Sequence, residues 1–177
     1  MASVDELERI ASAAARPGEQ VTGILAAELL DGARVYLCAY ESGGWLALDD
    51  EGMPITSRQL VHDAVSLVAL CEVAEETAGG GHLDELRARL AELRATEAPE
   101  GIEAAEEAAT ALADTLRPPP RLATTEYLDA LGVASRRLEQ TLGDETGSPF
   151  ANALQQALPA VEELAEQVIA RHLTPLT

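Results

Sequence analysis

The apolar positions of this 177-residue chain change period twice, and each change marks a different kind of element. Val4, Leu7, Ile10, Ala11 and Ala14 fall on one helical face. Ser3-Val4-Asp5-Glu6 is a capping box, in which a hydroxyl and a carboxylate satisfy free amides of the first turn. Arg16-Pro17-Gly18 ends that helix. The period then drops to two. Val35, Leu37 and Ala39 alternate with Tyr36, Cys38 and Tyr40, between the turn signals Asp31-Gly32 and Ser42-Gly43-Gly44. The spacing predicts a three-stranded antiparallel meander over residues 21–30, 35–40 and 45–48, with a helical alternative for Ile24 to Leu30.

Helical period returns at Ile55-Thr56-Ser57-Arg58-Gln59-Leu60, where Thr56 and Gln59 form a capping box and Ile55 and Leu60 are spaced as a hydrophobic staple. From Leu60 to Ala78 apolar residues cover more than half the circumference, so this helix is expected to be a buried central pillar, stopped by Gly79-Gly80-Gly81. Leu83, Leu86, Leu90 and Leu93 then make a narrow stripe, and Ile102, Ala105, Ala109, Leu112 and Leu116 make another. The connection at Ala98-Pro99-Glu100-Gly101 suits an antiparallel hairpin. Pro118 to Pro120 forms an extended spacer. A helix capped by Thr124 or Thr125 uses Tyr127 or Leu128, Leu131, Leu138 and Leu142. Ser148-Pro149 opens the last, whose stripe runs Phe150, Leu154, Leu158, Val161, Leu164, Ala165, Val168, Ile169 and which Pro159 should kink or divide.

These elements predict a mainly α (α+β) fold: a multi-helix bundle with a small N-terminal three-stranded antiparallel β meander. Residues 1–81 hold the first helix, the meander and the central helix, and residues 82–177 form a helical region with the Pro118–Pro120 spacer, either as two parts or as one compact domain.

Composition narrows the chemistry. The chain has no lysine, and its 12 basic residues, all arginine, face 31 acidic ones for a net charge of -19. A P-loop needs a lysine on the nucleotide phosphates, and Schiff-base, PLP, lipoyl and biotin chemistries need a lysine amine. A field of this sign repels nucleic acid and anionic membrane surfaces and attracts a basic protein partner. The acidic N-terminus and the absence of a long apolar run point to a cytoplasmic protein. Cys38 and Cys71, far apart and in apolar contexts, are expected to be reduced and buried.

Candidate sites are few. No glutamate precedes a histidine by three positions, which disfavours a ferritin-like metal bundle. His62, His82 and His172 are scattered, and only His82 with Glu85 makes a local pair; surface or capping roles are expected of them. The glycines at 79–81 read as a connector rather than an anion cradle, because Asp84 and Glu85 fill the following turn. Glu103-Ala104-Ala105-Glu106 and Glu126-Tyr127-Leu128-Asp129 resemble the ExxE and ExxD pair of the all-α, MazG-like nucleotide pyrophosphohydrolases. The resemblance covers only residues 103–129 and implies that Glu103, Glu106, Glu126 and Asp129 hold Mg²⁺ against a nucleotide triphosphate. The triple proline between the halves and the missing lysine depart from that pattern, and ExxE also occurs at Glu72 and Glu75.

The expected function is a non-enzymatic protein-interaction module, homodimeric through the thin leucine and alanine stripes, with no cofactor. The alternative is the Mg²⁺-dependent hydrolase. A third reading is a small-ligand sensor with a pocket lined by Tyr36, Tyr40 or Trp45.

Overall fold

The computed structural model describes residues 2–95, 102–116, 122–141 and 148–177, apart from the side chains of residues 80–82, 86, 89, 93 and 141. It is 62% helical with a small sheet, the α+β class expected. In chain order the elements are α1 (Val4–Ala14), β1 (Val21–Glu28), β2 (Arg34–Tyr40), β3 (Trp45–Leu48), α2 (Arg58–Ala78), α3 (Gly80–Ala95), α4 (Ile102–Thr115), β4 (Leu122–Thr124), α5 (Thr125–Thr141) and α6 (Pro149–Ala170). Among the described residues, no helix is long and apolar enough to cross a membrane. The chain falls into two compact units that interleave in sequence: Met1–Ala69, Pro120–Thr125 and Pro159–Thr177 in one, Leu70–Pro119 and Glu126–Leu158 in the other. α2 and α6 each supply one end to either unit.

In the first unit the meander forms as expected, with β1 antiparallel to β2 and β2 antiparallel to β3. The sheet has a fourth strand, however, in the order β3-β2-β1-β4, because β4 pairs parallel with Ala26 to Glu28 of β1. Three residues span one and a half periods of alternation, too little for a pattern to register. β1 is a strand throughout, so the helical alternative for Ile24 to Leu30 does not occur.

Residues paired across neighbouring strands share a face. Tyr36 with Leu48 and Cys38 with Leu46 lie on the face covered by α1, and with Tyr40 they form one buried cluster with Leu7 and Ala11. Burying one such leucine contributes roughly 1.5–3 kcal/mol. On the opposite face Ala27, Val35, Leu37 and Ala47 are also buried, which is why β2 reads as a continuous apolar run. Of the five residues assigned to the apolar face of α1, Val4 (64% exposed) and Ala14 face solvent. Ser3 caps this helix as expected, its Oγ accepting from the Glu6 amide at 3.2 Å. Gly52 closes the turn after β3 at φ +81°, a backbone conformation that favours glycine, and a Cβ there would stand 2.6 Å from Ile10 Cδ1 and make the end of that side chain shift.

α2 buries an apolar residue on every turn, Val61, Ala64, Val65, Leu67, Val68, Cys71, Ala74 and Ala78 each being less than a tenth exposed, while Arg58, Gln59, Glu72 and Glu76 are exposed. Its cap differs from expectation by one residue. Ser57 Oγ accepts from the Leu60 amide at 3.3 Å, while Gln59 turns to Asp63 and the Thr56 carbonyl accepts from the Thr177 amide at 2.8 Å. Because the helix starts at Arg58, the oxygen one residue before it is the one in reach of the free amides.

In the second unit the glycine stop between α2 and α3 shrinks to Gly79, since α3 begins at Gly80. A Cβ on Gly79 would lie 2.8 Å from the Glu75 carbonyl oxygen. α3 packs on α4, burying Leu83 and Leu90 with Ala105, Ala108, Ala109 and Leu112. α5 buries Tyr127, Leu131 and Leu138. α6 is one helix that Pro159 does not divide; of its expected stripe, Phe150, Val161, Ala165, Val168 and Ile169 are buried, but Leu158 (50%) and Leu164 (39%) are not. The Ala98–Gly101 connection, the Pro118–Pro120 spacer and Leu142 lie outside the described residues.

Candidate functional site

Among the described residues, three groups of polar side chains carry chemistry beyond ordinary solvation, two in the first unit and one in the second. The first joins α2 to α6. Arg58 and His62 are one helical turn apart on α2, and Glu162 and Glu166 are one turn apart on α6, so each pair presents two groups on one face. Arg58 bonds Glu166 at 2.9 Å, and His62 Nε2 lies 2.9 and 3.0 Å from the two oxygens of Glu162. Behind the imidazole, Asp63 Oδ1 stands 3.5 Å from Nδ1, a charge contact too long for a hydrogen bond, and itself accepts from Gln59 Nε2 at 2.8 Å. Nδ1 is shut off from solvent and has no hydrogen-bond partner. Burial pulls this imidazole towards its neutral form, but Glu162 and then Asp63 outweigh it, and the His62 pKa stands above its ordinary value. Beside the pair lies an open groove of about 440 Å³, lined by Arg58, Gln59, His62, Glu166, Ile169 and Thr177.

The second group surrounds His172. The outer edge of β3 is covered by two short segments. Trp45 and residues 171–173 exchange backbone hydrogen bonds of 3.0 and 2.8 Å, and Asp49 and Ile55 bond Met53 and Ala47 at 2.9 and 2.8 Å. Between them the Ala47 amide donates at 2.9 Å to His172 Nε2, while Nδ1 lies 2.7 Å from the Thr174 carbonyl. The Ala47 amide can only donate, so Nε2 carries the lone pair and the neutral ring bears its proton on Nδ1, towards the Thr174 carbonyl; the longer approach of the Thr174 amide to Nδ1, 3.2 Å, then finds no lone pair. Burial lowers its pKa, with the Thr174 carbonyl a weaker opposing influence. His172 therefore acts as a backbone acceptor in a ladder and leaves β3 no open edge at this rung.

The third group is at the start of α6 in the second unit, where Glu139, only 4% exposed, accepts from the Phe150 amide at 3.1 Å through Oε1. Ser148 Oγ accepts from the Ala151 amide at 3.1 Å, so the helix start has both a hydroxyl cap and a carboxylate. Oε2 of Glu139 and Oγ of Ser135, one turn earlier on α5, are buried without partners.

The four carboxylates of the hydrolase resemblance are placed differently. Glu103, Glu126 and Asp129 are exposed, and Glu106 bonds Arg94 at 3.0 Å. Among the described residues the one group of three potential metal ligands within 4.8 Å of one another is His62, Glu162 and Glu166, so no three of these carboxylates converge. The three aromatics of the sensor reading divide between the two faces of the sheet: Tyr36 and Tyr40 lie in the cluster under α1, where the Tyr40 hydroxyl donates to the Ala11 carbonyl at 2.6 Å, and Trp45 pairs with Ala39 on the other face. Cys38 and Cys71 are free and buried, and burial pushes the Cys38 thiol up to about 11. The side chain of His82 lies outside the described residues. Sequence reasoning did not single out Arg58, Glu162, Glu166 or Glu139. The two complementary four-residue steps, Arg58 to His62 and Glu162 to Glu166, were a usable signal, but nothing in the sequence says which helix faces which.

No protein-family model, curated protein or solved structure matches this chain.

Proposed function

We propose that this chain is a non-enzymatic interaction module whose acidic α4 face receives a basic segment of a partner protein. The observation that carries this reading is the division of α4 into two faces. Ala105, Ala108, Ala109 and Leu112 are buried, whereas Glu103, Glu107 and Asp114 are exposed along the opposite side and, with Glu106, Thr110 and Ala111, line an open depression of about 500 Å³. On a chain of net charge -19, such a face offers several carboxylates to lysine or arginine side chains and gains little from an acidic or neutral surface. The leucine and alanine stripes that suggested a homodimer lend it little support, since Leu83, Leu90, Ala105, Ala109 and Leu112 are buried and only Ile102 and Leu116 among their described members are partly exposed.

The test is fluorescence anisotropy with a labelled lysine- and arginine-rich helical peptide, against a glutamate-rich control. The basic peptide binds with an affinity that falls as salt rises, and the triple variant Glu103→Gln, Glu107→Gln, Asp114→Asn weakens it without changing the melting temperature. Affinity indifferent to that variant sinks the assignment. Sedimentation equilibrium of the chain alone addresses the homodimer: a single species at 18.6 kDa excludes it, and twice that mass restores it.

A further inference from the structure

We propose that His62, Glu162 and Glu166 form a binding site for a divalent metal ion of the zinc type, with Asp63 orienting the imidazole from behind. The geometry starts from the ring. With the proton on Nε2, Nδ1 turns a lone pair towards the Asp63 carboxylate 3.5 Å away and has no donor. With the proton on Nδ1, the lone pair of Nε2 faces both oxygens of Glu162 at 2.9 and 3.0 Å. Either neutral tautomer sets a lone pair against a carboxylate. The imidazolium relieves the conflict by donating from both nitrogens, and so does a cation held at Nε2 with Nδ1–H pointing at Asp63, which is the arrangement of a histidine ligand backed by a carboxylate. Gln59 already holds Asp63 in place at 2.8 Å.

The remaining donors are in reach. One ligand atom each from His62, Glu162 and Glu166 lies within 4.8 Å of the others, and donors on one zinc ion stand roughly 3–4 Å apart. Adjustment of half-exposed glutamate side chains covers the difference. One imidazole nitrogen with two carboxylates favours zinc or its first-row neighbours over Mg²⁺ and Ca²⁺, which prefer shells of oxygen. Three protein ligands leave a further position for water or an incoming group, and His62 and Glu166 both line the open groove beside Arg58, Gln59 and Ile169. The competitor is Arg58, which occupies Glu166 but is 57% exposed and free to turn outwards.

Isothermal titration calorimetry of ZnCl₂ into the full chain tests the site, with circular dichroism as the check on folding. One equivalent binds saturably. His62→Ala and Glu162→Gln each weaken binding by roughly tenfold or more, and Zn²⁺ raises the thermal midpoint of the parent protein but not of His62→Ala. Arg58→Gln tightens binding, because Glu166 loses its competitor; equal or weaker affinity there overturns the assignment of Glu166. Should His62→Ala fail to fold, Glu166→Gln, which keeps the His62–Glu162 contact, takes its place and must weaken binding. No saturable binding, or binding that survives these variants, overturns the proposal and leaves an ion-pair ladder between two helices.

Discussion

His62 and His172 belong to the same unit, yet the protein uses them in opposite ways. His62 sits between Glu162 and Asp63, a quarter exposed, and is held towards its cationic form. His172 has backbone partners, Ala47 and Thr174, and is held neutral. Burial acts in the same direction on both rings, and the neighbours decide the outcome. Carboxylates reverse the effect of burial at His62; a single backbone carbonyl does not at His172. A histidine's role here is thus a property of what faces it across the fold.

The steepest contrast lies on α2 itself, where Val65 is 3% exposed one turn from the quarter-exposed His62. Val65→Asp places a carboxylate in that interior without a partner and should abolish folding, since the penalty of several kcal/mol matches the stability of a domain. A cooperative thermal transition in Val65→Asp would show that α2 is not the pillar its burial indicates.

Next in size is His172→Ala, which removes the acceptor of the Ala47 amide and leaves a buried donor unpaired. It should cost about 1–3 kcal/mol in urea unfolding. His172→Gln, whose longer side chain supplies a carbonyl oxygen near the position of Nε2, should recover part of that loss. Equal destabilisation by Gln and Ala would assign the effect to packing rather than to the hydrogen bond.

The pH dependence of the same site has a definite sign. Because the His172 pKa is lowered on folding, the unfolded chain binds the proton more readily, and stability rises with pH. The contribution is fully present above the unfolded value of about 6.5 and is lost as pH falls from there through the folded pKa. Urea midpoints of the parent and His172→Gln should therefore converge as the pH is lowered from neutral. A gap that widens towards acid would contradict the neutral tautomer. The comparison with the variant removes the titration of other groups, His62 included, whose shift has the opposite sign.

The smallest effect is expected at the exposed ladder. Without metal, His62→Ala should cost less than about 1 kcal/mol, because a pair this open to water loses most of its Coulomb energy to screening. A loss as large as that of His172→Ala would erase the distinction between the two sites.

Much of the fold was legible in order of appearance. Ser3, the Asp31-Gly32 and Gly43-Gly44 turns and Ser148-Pro149 mark element ends through local chemistry, and the period of two from Val35 to Tyr40 marks a strand. Caps, turns and periodicity depend on residues a few positions apart, so the chain itself carries them. Less of the candidate chemistry was legible. β4 is too short to show a period and exists because β1 offers it an edge. Glu139 looks like any surface glutamate until α6 begins beside it, and the Glu103–Asp129 spacing could not tell whether four carboxylates converge. His172 reaches Ala47 across 125 residues and His62 meets Glu162 across 100. Sequence therefore determined which segments are helix or strand and which of their faces are apolar. Tertiary structure alone decided which polar groups meet, because charge and hydrogen bonding act through distances that chain order does not specify.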